Sequence, residues 1–234
     1  LSIVSAERVR AEFERLMISA EPRRGIELMV YTGVADIVIP EVSRLKDTVD
    51  EHHRHKDVYE HSLTVLEQAI DLETGPDGAV PGPDFVLRFA ALMHDVGKPA
   101  TRRFEPGGGV SFHHHELVGA KLARKRLKEL RYDKDTIKDV ARLVELHLRF
   151  HGYSEGSSGG ASSGWSDAAV RRYVRDAGDQ LERLHLSSPD RTHAHVLGQT
   201  VGRTFQATCD AALGDARCGV DLEGPAYKGT GAVI

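Results

Sequence analysis

The stretch Leu92-Met93-His94-Asp95-Val96-Gly97-Lys98-Pro99 sets an imidazole and a carboxylate side by side where an apolar helix runs out. Phe89, Ala90, Leu92 and Met93 form an almost unbroken apolar run ahead of the pair, and Gly97 and Pro99 behind it read as a helix C-terminus. A neutral imidazole and an ionised carboxylate at the mouth of a core helix suit a divalent transition metal, provided that other elements bring further ligands. The plainer reading is a His-Asp pair that only caps the helix. Which of the two holds depends on where the other histidines point.

Upstream, Val58, Ser62, Val65 and Ala69 mark the core-facing stripe of a helix, and His61 falls three residues after Val58 and four before Val65. His61 is therefore expected to face inward. Turn-rich Gly75-Pro76-Asp77-Gly78 and Pro81-Gly82-Pro83-Asp84 separate this helix from the central one and let the two lie antiparallel. Downstream, Pro106-Gly107-Gly108-Gly109 reads as a hairpin tip between short arms. Of His113, His114 and His115, which follow it, at most one or two can face a common centre; a polar loop is the alternative. Ile137, Val140, Val144 and His147 then repeat the pattern of an inward face carrying a histidine at its C-terminal end. Trp165 to Leu186 returns to helical spacing, and Asp190 follows just past Pro189. His52, His53 and His55 lie in a polar linker and read as solvated.

The rest of the chain is helical in pattern. Ser5 caps a first helix with Val9, Phe13, Leu16 and Met17 on one side, and Pro22 opens a second in which Ile26, Met29, Val30, Val34 and Ile37 share a side before Pro40 ends it. No strand set is large enough for a core sheet, so the fold class is all-α: a helical neck over 1–50, a helical bundle over 51–195 with a Ser/Gly-rich loop at 154–164, and an unassigned tail over 196–234. With 234 residues and 40% hydrophobic content the chain can bury a core without staples. Cys209 and Cys218 match no zinc motif, which fits a reducing cytoplasm, and neither a membrane span nor a signal peptide is apparent. The lack of an initiating Met points to a fragment or a processed chain. A net charge of -4 gives no global attraction to nucleic acid, although Lys121, Arg124, Lys125, Lys128, Arg171, Arg172 and Arg175 make local basic faces. Such faces are commonly just solvated.

Set in order, the inward candidates are His61, His94, Asp95 and Asp190, with His115 and His147 as ligands for a second ion that Asp95 would bridge. A divalent ion held this way lowers the pKa of water and polarises a phosphoryl oxygen, so phosphate-ester hydrolysis is the natural reaction class. The donor types leave Mn, Ni, Mg, Fe and Zn open.

At these residues a resemblance emerges. His61, His94-Asp95 and the distant Asp190 form a pattern similar to the HD superfamily of metal-dependent phosphohydrolases, which is all-helical. The wider context, Asp57 to Leu63, Leu92 to Pro99, Phe112 to Ala120 and Leu146 to Tyr153, resembles the C-terminal half of bacterial, actinobacterial-type CCA-adding tRNA nucleotidyltransferases of the poly(A) polymerase family. Ile26 to Met29, Thr32 to Val34 and Ile39 to Glu41 resemble the RNA-binding neck of that family. The resemblance covers about Ser5 to Asp190.

It implies His61, His94, Asp95 and Asp190 as metal ligands, Asp95 as the central catalytic group, Lys98 as a neutraliser of substrate phosphate, and tRNA as a partner in the full-length context. A lysine at a helix C-terminus is equally good dipole chemistry. The Gly-rich strand-turn and paired aspartates of the nucleotidyltransferase head have no counterpart in these residues, so CTP and ATP addition does not carry over. The Ser/Gly-rich stretch is longer than the family pattern, and the match stops after Asp190. The leading expectation is a metal-dependent phosphohydrolase acting on a phosphomonoester or phosphodiester, 2',3'-cyclic ones included. The rival is a non-catalytic tRNA-binding module whose basic faces grip phosphate backbone.

Overall fold

The computed structural model describes residues 4–48, 57–74, 80, 82–106, 108–148 and 167–186. The first helix, α1 (Ala6–Met17), is capped as its sequence directs: the Ser5 side chain accepts from the Arg8 N–H, and Phe13 and Met17 are buried. Pro22 opens α2 (Pro22–Tyr31), but this helix does not run on to Pro40. Gly33 takes a left-handed conformation (φ 75°), and the chain re-forms as two single turns, α3 (Ala35–Val38) and α4 (Pro40–Ser43), before a 3-10 turn over Arg44–Asp47. The break rotates the helical face. Ala35, Val38 and Ile39 become core, while Val34 and Ile37, expected to continue the apolar side, are exposed.

The centre of the molecule is α6 (Phe85–Met93). Its N-cap Asp84 accepts from the Leu87 N–H, and every residue from Leu87 to Met93 is buried. It packs on α5 (Val58–Thr74) and on α9 (Lys134–Leu146), and α9 packs on α8 (His115–Glu129). Val58, Ser62, Val65 and Ala69 are all buried on the core side of α5. Between α6 and α8 lie the short α7 (Lys98–Thr101) and an antiparallel hairpin of β1 (Arg103–Phe104) and β2 (Val110–Ser111), with Arg103 opposite Ser111 and Phe104 opposite Val110. Two further helices, α10 (Asp167–Ala177) and α11 (Leu181–Leu186), close the described part around a left-handed Gly178. The fold is all-α, with the hairpin as its one described sheet.

The main apolar core runs from Phe13 and Met17 through α5, α6, α8 and α9 to Leu184, and Val65, Ala69, Leu87 and Ala91 form a smaller second cluster between α5 and α6. Phe13 sets its ring edge-on against Phe89, 5.6 Å between centroids, so α1 is seated on the central helix. The boundary expected near residue 51, the Ser154 to Gly164 stretch and the tail lie outside the described residues. No described helix is long and apolar enough to cross a membrane.

Candidate metal centre

Two of the site histidines sit where helices end. His94 is the first residue past α6 and His147 the first past α9, positions at which the last helical carbonyls have no partner in the helix. Each ring turns back on its own helix: His94 Nδ1 lies 2.8 Å from the Ala91 carbonyl and His147 Nδ1 2.7 Å from that of Val144. His115, at the start of α8, makes the same contact to Phe112 O at 2.8 Å. A carbonyl only accepts, so Nδ1 carries the proton in all three rings, and in the neutral form Nε2 is left with a bare lone pair.

Those Nε2 atoms converge on Asp95. Its Oδ2 is 3.1 Å from His94 Nε2 and 3.8 Å from His61 Nε2; its Oδ1 is 3.1 Å from His115 Nε2 and 3.7 Å from His147 Nε2. The carboxylate thus divides the imidazoles into an outer triad, His61, His94 and Asp95, and an inner triad, Asp95, His115 and His147. Asp95 is 2% exposed and His115 and His147 are buried with it, whereas a third of the His61 side chain (33%) meets solvent and forms the mouth.

The electrostatics follow from this packing. Burial by itself raises the Asp95 carboxyl, but the charge of His94, hydrogen bonding from His115 and His94, and the Lys98 ammonium outweigh it and hold the carboxyl well below the usual carboxylate range. Burial lowers His115, yet its hydrogen bond and attraction to Asp95 win, and its pKa is raised. His147 is pushed down to about 3, by burial first and then by repulsion from His94. It is neutral throughout the physiological range, and its buried Nε2 has no hydrogen-bond partner among the described residues. A bare nitrogen lone pair facing a carboxylate oxygen in a dry site is repulsive unless a cation lies between them. The donor set, imidazole nitrogens around a shared carboxylate with Nδ1 tied down, therefore fits a divalent metal ion.

Five residues read from the sequence meet here: His61, His94, Asp95, His115 and His147. Asp190 lies outside the described residues, as do His52, His53 and His55. His113 and His114 turn outward, and His114 takes a left-handed φ of 62° as it enters α8. Lys98 opens α7 and turns into the site, its Nζ 3.1 Å from Asp95 Oδ2 and 5.5 Å above the Phe112 ring. Its spacing of three residues from Asp95 was the available signal for that pairing. Gly97 does more than follow the end of a helix, since it permits close packing: a Cβ there would fall inside the His115 carbonyl. On α8 Lys121, Lys125 and Lys128 are exposed, while Arg124 is half-buried and 3.5 Å from Glu145; on α10 Arg171, Arg172 and Arg175 are exposed.

The sequence matches the family described as HD domain over residues 58–188, and the one described as probable RNA and SrmB-binding site of polymerase A over residues 1–46. A match to a baseplate hub protein N-terminal attachment domain, over 168–221, falls largely outside the described residues. The A-adding tRNA nucleotidyltransferase of Deinococcus radiodurans is 36% identical over 190 residues, 80% of this chain and 39% of that protein. The CC-adding tRNA nucleotidyltransferase of Thermus thermophilus is 34% identical over 148 residues, 63% of this chain and 32% of that protein. A multifunctional CCA protein of Neisseria meningitidis is 33% identical over 149 residues, 62% of this chain and 32% of that protein. The chain spans between 32% and 39% of the length of these relatives.

Proposed function

The chain belongs to the HD-domain family, and on that premise we propose that its centre is a metal-dependent phosphohydrolase site, acting on a phosphomonoester or phosphodiester. The observation that carries this reading is the set of three Nδ1-anchored imidazoles whose Nε2 atoms surround one buried carboxylate. His61, His94 and Asp95, with Asp190 as a further ligand, would hold one ion; Asp95, His115 and His147 would hold a second.

A bound divalent ion supplies Lewis acidity toward a phosphoryl oxygen and lowers the pKa of water. The protein's own residues do the rest. Helix ends fix the rings, so ligand geometry is set before any ligand arrives. Burial of Asp95 and the inner triad excludes bulk water, while half-exposed His61 marks the side from which an ester enters. Lys98 supports the reading as a fixed positive charge beside the carboxylate, on the side where an anionic phosphate would sit.

A tRNA-binding role for the same chain has its own support. The match over 1–46 is to an RNA-binding segment, and Lys121, Lys125, Lys128, Arg171, Arg172 and Arg175 are exposed cations that phosphate backbone would meet.

Asp95→Asn tests the hydrolytic reading, because it keeps size and removes the charge that both triads share. Wild type supplied with Mn or Ni is expected to hydrolyse bis-p-nitrophenyl phosphate or a 2',3'-cyclic nucleotide, and Asp95→Asn to lose at least about a hundredfold of that rate. His113→Ala, in the outward loop, is the matched control. Equal activity in Asp95→Asn would refute the site assignment, and a wild type inactive with every metal that still binds tRNA would favour the binding module.

A further inference from the structure

The hairpin between α7 and α8 holds an aromatic ring out in solvent, in cationic company. Phe104, on β1, is 77% exposed, and the guanidinium carbon of Arg102 lies 5.5 Å from the centroid of its ring. A lone exposed phenylalanine is ordinary on a protein surface. Phe104 differs in its neighbours: Arg102 and Arg103 are both exposed, and neither forms an ion pair among the described residues. The arm itself is fixed. Arg103 pairs with Ser111 and Phe104 with Val110, and the turn closes as the Glu105 N–H donates to the Gly109 carbonyl at 2.9 Å and the Gly108 N–H to the Glu105 carbonyl at 3.0 Å. The Ser111 hydroxyl donates to the Glu105 carboxylate. Side chains alternate across a strand, so Phe104 shares one face with the Arg102 guanidinium while Arg103 takes the other. Past β2 the chain runs straight into buried Phe112, whose carbonyl anchors the His115 ring. The arm therefore grows out of the segment that carries a residue of the metal centre.

We propose that this hairpin is a stacking arm for single-stranded RNA, with an unpaired base laid on the Phe104 ring and a flanking phosphate met by Arg103. The inference does not depend on the hydrolytic reading. An aromatic face offers every base a stacking surface, and a guanidinium beside it supplies the charge that a phosphate backbone needs. Arg102 occupies one side of the ring, and with the residue this exposed the other side faces solvent. Duplex RNA hides its base faces in its own stack, so an unpaired strand is what fits. A protein partner would need a broader apolar patch than one ring, and the chain neighbours Arg102, Arg103, Glu105 and Pro106 are exposed and mostly charged. The match of residues 1–46 to an RNA-binding segment favours RNA as the strand.

Fluorescence anisotropy of the whole chain with a short labelled oligouridylate, divalent ions chelated so that no ester is cut, reads this directly. Wild type should bind the strand, and an unlabelled RNA duplex should compete poorly for it. Phe104→Ala and Phe104→Leu should each weaken binding by roughly fivefold to a hundredfold, the loss of one base stack, whereas Phe104→Trp should bind at least as tightly as wild type. Arg103→Gln should reduce the slope of log affinity against log salt by about 0.7, the signature of one phosphate contact on a single strand, and the Phe104 variants should leave that slope unchanged. Because Phe104 lies outside the core, circular dichroism should show each variant folded. Wild-type affinity in Phe104→Leu would mean that apolar bulk and not a ring face does the binding, as at a protein contact, and would overturn the proposal. So would equal competition by the duplex, Phe104→Trp as weak as Phe104→Ala, an unchanged salt slope in Arg103→Gln, or a wild type that binds no RNA. The hydrolytic reading survives each of those results, and a wild type without hydrolytic activity leaves the stacking arm standing.

Discussion

At the scale of single residues, the proton is the natural competitor of a metal at this centre, and the imidazoles are not equally exposed to that competition. His147 is neutral down to about pH 3, so it needs to release nothing when an ion binds. His115, raised by Asp95, holds its proton to higher pH than an ordinary histidine and must give it up. The sign follows. Without metal, protonated His115 against ionised Asp95 contributes stability that is full below pH 6.5, the unfolded value, and lost as pH rises through the raised folded value. Metal binding runs the other way: affinity should fall as pH drops through the raised value of His115. Calorimetry in buffers of different protonation enthalpy should show proton release on Mn binding, and His115→Ala should abolish most of it. A pH-independent affinity across that value would mean that His115 is not a ligand. The identity of these residues was legible in the sequence because His94 and His147 each close an apolar helical face. His115 was among the named candidates, although spacing alone allowed one or two of His113, His114 and His115 to face inward; the left-handed backbone of His114 is what turns His115 in and leaves the other two outside.

Among the secondary-structure elements, the site depends on how closely the turn after α6 approaches α8. Any side chain at Gly97 would meet the His115 carbonyl and lie 2.8 Å from the Gly119 amide nitrogen, both backbone atoms that cannot swing aside. Gly97→Ala should therefore push α8 outward, carrying His115 away from Asp95. The expected cost is about 1–3 kcal/mol of stability, typical of overpacking, together with loss of Mn binding at the inner triad. Denaturant unfolding and a Mn titration check the two effects separately; a variant as stable and as metal-competent as wild type would show that the crossing is looser than described. The same element-level geometry explains what periodicity misjudged. The apolar spacing Ile26, Met29, Val30, Val34, Ile37 suggested one continuous helix, but spacing is blind to a dihedral. Gly33 reverses its φ, and the residues beyond it present a new face, with Val38 and Ile39 inside. Where no glycine or proline interrupts, as along α5, α6 and α9, the expected faces are the observed ones.

For the molecule as a whole, α1 is joined to the bundle by more than apolar contact. Arg88, in the middle of the central helix, is 3% exposed. Its guanidinium donates to both carboxylate oxygens of Glu73 on α5 at 2.7–3.2 Å and to the carbonyls of Met17 and Ser19 at 3.0 and 2.8 Å. One side chain thus satisfies the C-terminal end of α1, whose last carbonyls have no helical partner, and ties it to α5 and α6 at once. Neither composition nor periodicity signalled this, because an arginine at a core position of a helix reads as a departure from the pattern. A buried pair of this kind is costly to break and not necessarily stabilising relative to an apolar replacement, since each charge must first leave water. Glu73→Ala should accordingly destabilise the chain by about 3–5 kcal/mol, by leaving the guanidinium buried and uncompensated. The double substitution Glu73→Leu with Arg88→Met should recover much of that loss in the bundle. It should also free the end of α1, since Met accepts no role at the Met17 and Ser19 carbonyls. Chemical denaturation measures the first effect, and amide hydrogen exchange along α1 and α6 measures the second. Faster exchange confined to the end of α1, with α6 protected, is the expected pattern. Equal loss of protection in both helices would mean that α1 and the bundle unfold as one unit, held together by the Phe13 and Phe89 contact and not by Arg88.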